Sequence, residues 1–310
     1  MTETLKPVKI STSPSLTRFA WLSIAAALLT ITLKAGAYLL TGSVGLLSDA
    51  AESIVNLVGA VMALAMLMIA ARPADQSHSY GHSKAEYFSS GVEGTLILIA
   101  SGGIIWSSAE RLFHPKPLDQ VGLGLVVSLL ASIVNFFVAR ILMAAGKRGR
   151  SISLLSDAQH LMTDVWTSVG IIAGVGLVAL TGWSALDSLV AIAVAINIIW
   201  TGIQLVRRSV AGLMDAALPP DDQEIIEKVM SKYRAQEVDF HALRTRQAAS
   251  RRFVTVHMLV PGAWTVHDAH HIAEDFESEI RAALGEAVIT THLEPIEDEL
   301  SMHDILLEQE

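Results

Sequence analysis

The sequence predicts six transmembrane helices followed by a soluble α+β domain, and three observations predict it. Of 310 residues, 52% are hydrophobic and only 17% are charged, against about 25% charged in an ordinary soluble domain. Six stretches, roughly 19–40, 45–71, 87–110, 121–145, 153–181 and 185–206, are apolar over the ~20 residues needed to cross a bilayer. Charge is also segregated. Residues 1–212 hold 14 Lys and Arg against 11 Asp and Glu, whereas residues 213–310 hold 8 against 20, with seven of the 11 histidines. A slightly basic, greasy part therefore precedes an acidic, His-rich part.

The elements follow in order. Residues 1–18 read as a cytoplasmic tail. Lys6 and Lys9 precede the first apolar stretch as in a signal peptide. That stretch is too long, and five more follow, so it reads as a membrane helix. The membrane domain is expected over 19–212. Lys and Arg collect in cytoplasmic loops. One set of connections carries Arg72 and Lys84, then Lys147, Arg148 and Arg150, then Arg207 and Arg208. The other set has no basic residue at 41–44 or 182–184, and only Arg111 and Lys116 near 110–120. Both termini and the acidic domain are therefore expected in the cytoplasm of a multi-pass protein of the cell membrane.

The acidic domain, 213–300, alternates helix and strand signals before a C-terminal tail at 301–310. Pro219-Pro220 and Asp221-Asp222 open a helix over 221–234. Residues 239–247, 251–260 and 287–293 are β-rich. Residues 265–284 have helical spacing, with Thr265 as the starting cap and Gly285 as the stop. The order α-β-β-α-β predicts a small helix-on-sheet domain, ferredoxin-like or metallochaperone-like. With no cysteine, disulfides, thiolate metal sites and cysteine nucleophiles are excluded. A basic nucleic-acid footprint is absent as well.

An internal repeat points to a site. Residues 46–56 read LLSDAAESIVN and residues 154–164 read LLSDAQHLMTD. Glu52 corresponds to His160, and Asn56 to Asp164. Each pair is spaced i, i+4, on one helix face, with Asp49 and Asp157 about one turn earlier. Ionisable residues inside a membrane are expensive and usually face a cavity or pathway. If the two helices face each other, Glu52, Asn56, His160 and Asp164 offer one imidazole, two carboxylates and an amide oxygen. That set suits a zinc-like ion, or manganese or iron(II) in another geometry. The competing reading is a polar cluster that joins helices by hydrogen bonds. Lys34 and Glu93 read as snorkelling or helix-pairing charges, and Asn135 and Asn197 as structural.

Further along, Asp75, His78 and His82 share a loop, with His78 and His82 spaced to share a helical face. In the soluble domain His241, His257, His270, His292 and Glu294 fall on strands and a helix that could converge, whereas His267, His271 and His303 read as surface residues. A domain carrying so many acids would be stabilised by divalent cations.

From residue 19 to 296 the chain resembles the cation diffusion facilitator family, six-span transporters of divalent metals with a cytoplasmic domain. The residues that carry the resemblance are His160-x-x-x-Asp164, the loop PADQSHSYGHSKAE at 73–86, HALRTRQ at 241–247, and the strands ending near His257 and His292. The resemblance implies a transport site at Glu52, Asn56, His160 and Asp164, where Glu and Asn depart from the two acids, or His and Asp, common in the second span. It implies a second, interfacial metal site at Asp75, His78 and His82, and a two-metal cluster at a homodimer interface from the histidines and Glu294 of the soluble domain. It also implies a Lys84–Asp215 pair tying the two parts together.

The function expected is efflux of a divalent transition metal, zinc first, with iron(II), manganese, cobalt or cadmium as alternatives. The ligands must shed protons to bind the ion, so proton antiport is the expected coupling. The absence of GxxxxGK[ST] argues against ATP-driven pumping, and the absence of HExxH against an intramembrane metallohydrolase. A membrane metal sensor that transports nothing is the remaining rival, although it would have no need of four ligands inside the spans.

Overall fold

The computed structural model describes residues 16–41, 44–113, 121–183 and 185–302, and the side chains of residues 44–52 are among those outside that description. The chain divides into two compact units, Met1–Val210 and Ala211–Glu310. The first contains helices α1 (Thr17–Thr41), α2 (Val44–Ala70), α3 (Ala85–Phe113), α4 (Val121–Gly149), α5 (Ile152–Thr181) and α6 (Ala185–Leu213), the last running three residues past the division.

Four of the six are long and apolar enough to cross a membrane among the described residues: Thr17–Leu39, Ala85–Phe113, Val126–Gly149 and Ser188–Leu213. Within the described residues of α2 the apolar stretch is Asn56–Ala70. Large apolar side chains such as Trp106, Phe113, Leu39 and Leu180 point outward, as expected where lipid tails rather than water surround the helices. Small residues let helices approach closely. A Cβ on Gly94 of α3 would lie 2.9 Å from Val206 of α6, and one on Gly202 of α6 would lie 2.9 Å from Leu98 of α3.

The start of α5 is built with care. Ser151 is its N-cap, and its hydroxyl accepts from the Leu154 amide at 3.3 Å. Glu86, in the first turn of α3, accepts from the Ser151 hydroxyl and from the Ser153 amide. A carboxylate at a helix N-terminus satisfies open N–H groups and complements the helix dipole. This contact anchors α3 to α5. The other end of α5 stops at Gly182 (φ +72°), whose amide bonds to the Val178 carbonyl; a left-handed residue here is normally glycine.

The second unit has the expected α-β-β-α-β order: α7 (Pro220–Arg234), β1 (Asp239–Ala248), β2 (Arg251–Val260), α8 (Val266–Leu284) and β3 (Ala287–Pro295). The strands form one sheet in the order β1-β2-β3, with β1 antiparallel and β3 parallel to β2. Thr265 caps α8 by accepting from the Asp268 amide, and Gly285 follows its end. Alternation along β2 separates two faces. Val254, Val256, Met258 and Val260 face the core with Phe240, Ile226, Phe276 and Ile280, while His257 lies on the opposite face. Arg252 is an exception on the core face. It grips Asp222 through two bonds of 2.7 and 3.0 Å and donates to the Leu284 carbonyl at 3.0 Å. One side chain thereby ties β2 to the start of α7 and the end of α8.

Candidate metal centres

The repeat brings its two helices together. Asn56 of α2 donates its amide hydrogen to Asp164 Oδ2 of α5, and its carbonyl oxygen accepts from His160 Nε2 at 2.7 Å. The sequence spacing explains the convergence, because i and i+4 positions stack on one face of α5. Asn135 of α4, expected to be structural, donates to the same Asp164 oxygen at 3.1 Å. All four side chains are buried. Glu52, the fourth expected ligand, lies on α2, and its side chain lies outside the described residues. A cavity of about 180 Å³ opens beside Asp164, lined also by Asn135, Ser128, Ser132, Thr167 and Lys34. Lys34 is thus placed at the site's cavity, a position that no local sequence signal discloses.

Imidazole nitrogen, amide oxygen and carboxylate oxygen are all ligands for a divalent transition ion. Here the three satisfy one another by hydrogen bonds. His160 Nδ1 has no partner among the described residues. A move of the ring hydrogen from Nε2 to Nδ1 would free the Nε2 lone pair for a metal.

The loop between α2 and α3 gathers a second set. His78 Nδ1 lies 3.4 Å from Asp75 Oδ1, and His82 Nε2 lies 3.4 Å from Asp75 Oδ2. The two rings are 4.5 Å apart. The shared helical face expected for the histidines is absent, because this segment forms turns instead. Gly81 (φ +83°) closes one turn by donating to the His78 carbonyl at 2.8 Å, a backbone conformation open to glycine. The His78 amide, bonded to Asp75 Oδ1 at 2.7 Å, holds that carboxyl below its ordinary pKa. The aspartate therefore stays ionised and available to a cation.

In the second unit His241, His257 and His292 occupy one row across β1, β2 and β3. Strand β3 runs two residues beyond its expected end, which places Glu294 on the sheet. Its carboxylate lies 2.8 Å from His241 Nε2, 3.2 Å from His257 Nδ1 and 3.5 Å from His292 Nε2. Ligand atoms of His241, His257 and Glu294 all lie within 4.8 Å of one another, as do those of Asp75, His78 and His82. The donor set, imidazoles around one carboxylate, fits a zinc-like ion. His270 on α8 is exposed. Its ring lies 6.1 Å from that of His271, and His267 and His271 are 4.4 Å apart. Asp215 pairs with Arg246 at 3.0 Å inside its own unit.

Residues 20–214 match the family model of the cation efflux transmembrane domain, and residues 218–296 that of the cation efflux protein, cytoplasmic domain. The chain is 52% identical over 280 residues to the uncharacterized transporter sll1263 of Synechocystis sp., covering 90% of each. It is 28% identical over 277 residues to the cation-efflux pump FieF of Shewanella oneidensis, covering 89% of this chain and 93% of that protein. The FieF pump of Escherichia fergusonii is 28% identical over 279 residues, covering 90% of this chain and 92% of the relative.

Proposed function

The chain belongs to the cation efflux family of multi-pass membrane transporters and is not an enzyme, and on that premise we propose that it exports a divalent transition metal, zinc in first place, from the cytoplasm in exchange for protons. The observation that carries this reading is the buried contact of Asn56, His160 and Asp164 between α2 and α5. That contact joins an imidazole, an amide oxygen and an acid in the membrane unit, and the proposed set takes Glu52, four residues before Asn56 in the sequence, as its fourth ligand. Imidazole favours zinc, cobalt or nickel over manganese. Metal and protons compete for these groups, so a site open to each side in turn releases metal as protons enter.

Both termini face the cytoplasm, on the strength of the basic loops. The protein acts as a homodimer. His241, His257, His292 and Glu294 hold regulatory metal in the soluble unit, with His270 completing the set. Filling these sites draws two protomers together and biases the transport state. Asp75, His78 and His82 form a further site on the cytoplasmic side.

Flux through proteoliposomes tests the reading. Zinc uptake accompanied by counter-movement of protons is expected. Zinc binding without flux would establish a sensor instead. Two variants sharpen the site. Asn135→Ala removes an amide that holds Asp164 in place; loss of such a supporting bond weakens metal binding by about 10–100-fold, measurable by zinc titration of the detergent-solubilised protein. His160→Asp replaces the nitrogen ligand with oxygen. The ranking of zinc over manganese and cadmium in uptake assays should flatten, because an all-oxygen set has no preference for a borderline ion. An unchanged ranking would remove His160 from the ligand set.

A further inference from the structure

The membrane unit buries a second acidic pair, distinct from the metal cluster. Glu93 of α3 is 0% exposed and Asp157 of α5 is 3% exposed. The two carboxyls are close enough to interact electrostatically. Glu93 receives a hydrogen bond from Ser89 at 3.3 Å on one oxygen, while its Oε2 has no partner among the described residues. Asp157 Oδ2 also has none. The Ser23 hydroxyl of α1 faces Asp157, is 1% exposed and likewise lacks a partner at hydrogen-bond distance. Three buried polar groups thus meet with unused capacity. A buried polar atom left unpaired is costly, and an intramembrane acid points to function by default.

The surroundings select the ligand. From the α5 start, buried polar contacts step inward between α3 and α5, Glu86 with Ser151 and Ser90 with Ser156 at 2.6 Å, and Ser89 bonds Glu93 within α3. Asp157 then lies three residues before His160. Against Glu93, α2 presents Gly59, whose Cβ position is 3.7 Å from Glu93 Cγ. At the adjoining positions of α3, α6 presents Val206, Leu205 and Ser209. None of these is charged, and Glu86 is two turns away on α3 itself. Among the described residues the polar groups near the pair are hydroxyls, Ser89 by Glu93 and Ser23 by Asp157, with no imidazole or amide. Such a set is poor for a transition ion, but two carboxyls in a low dielectric cannot both ionise, and one proton resolves the conflict.

We propose that Glu93 and Asp157 form a proton-carrying site, separate from the metal ligands, that supplies a counter-proton of transport. The pair holds a proton while the metal cluster is empty. A divalent charge arriving at His160 and Asp164, about one turn along α5, favours the ionised pair, and the proton leaves. This rests on the proton-antiport reading above.

The test is full-length protein in proteoliposomes carrying zinc-sensitive and pH-sensitive dyes. In Glu93→Gln the protons moved per zinc should fall by about one, the count expected when one titrating group is removed. Zinc bound at equilibrium should be unchanged. Glu93→Asp, which keeps a carboxyl, should retain the wild-type ratio. Asp157→Asn gives the same reading if Glu93→Gln folds poorly by size-exclusion profile. Wild-type proton ratios in both amide variants would overturn the proposal while leaving antiport intact. Loss of one zinc equivalent in either would also overturn it and make the pair a metal site. A wild-type protein that moves zinc without protons would overturn the antiport reading itself, and this inference with it.

Discussion

Asp164→Ala lowers zinc uptake into proteoliposomes by at least about 100-fold, since loss of even a supporting contact to a metal ligand costs about 10–100-fold and Asp164 is proposed as a ligand itself. Its carboxylate is the acceptor for two amides, from Asn56 on α2 and Asn135 on α4. Removing it takes away the charge that neutralises the ion and releases the amide that orients Asn56 toward His160. Folding should survive. The cavity beside Asp164 is lined by hydroxyls of Ser128, Ser132 and Thr167, so water can enter and serve the freed amides. The expected signature is a wild-type size-exclusion profile with flux at the level of empty vesicles. Uptake at the wild-type rate would remove Asp164 from the transport site.

Arg252→Ala destabilises the second unit by about 3–5 kcal/mol, the usual cost of breaking a buried ion pair by removing one partner. The Arg252 side chain is 4% exposed and that of Asp222 15%. Truncation takes two bonds from the Asp222 carboxylate and one from the Leu284 carbonyl, and leaves a cavity where β2, α7 and α8 meet. Hydrogen exchange of the β2 amides in the full-length protein reads the effect locally. They should exchange faster by about two to four orders of magnitude, one order for each ~1.4 kcal/mol, while the membrane helices are unchanged. The paired variant Arg252→Met, Asp222→Leu should recover much of the loss, because an apolar pair of similar volume removes the stranded charge. Failure of Arg252→Ala to accelerate exchange would mean that the pair contributes nothing net.

Legibility in the sequence differed by kind of feature. The α-β-β-α-β order of the soluble unit was readable because each element carries a local signal. β-rich composition marks β2, Pro219-Pro220 with two aspartates opens α7, and Thr265 and Gly285 bracket α8. The buried contact of Asn56, His160 and Asp164 was partly readable because the chain repeats itself. Asn56 and Asp164 are equivalent positions of that repeat, 108 residues apart, and they are bonded to each other. The repeat thus placed like positions on two like helices, and packing turned one toward the other. The loop histidines were recognisable as a group, but the helix invoked to join them is a turn that Gly81 closes.

The sequence by itself determined which segments are helices and strands, where acidic and apolar surface lie, and which residue types gather at i, i+4 spacing. These depend on local periodicity and composition, which act over a few turns. Only the tertiary structure decided that Asn135 reaches Asp164, that Lys34 lines the cavity, that Glu93 and Asp157 are buried near one another, and that Glu294 sits among three histidines. Each of these is set by the rotation and depth at which one element packs against another. That choice comes from close fit over whole helix and sheet faces, at Gly94 and Gly202 for example, and no short stretch of chain encodes it.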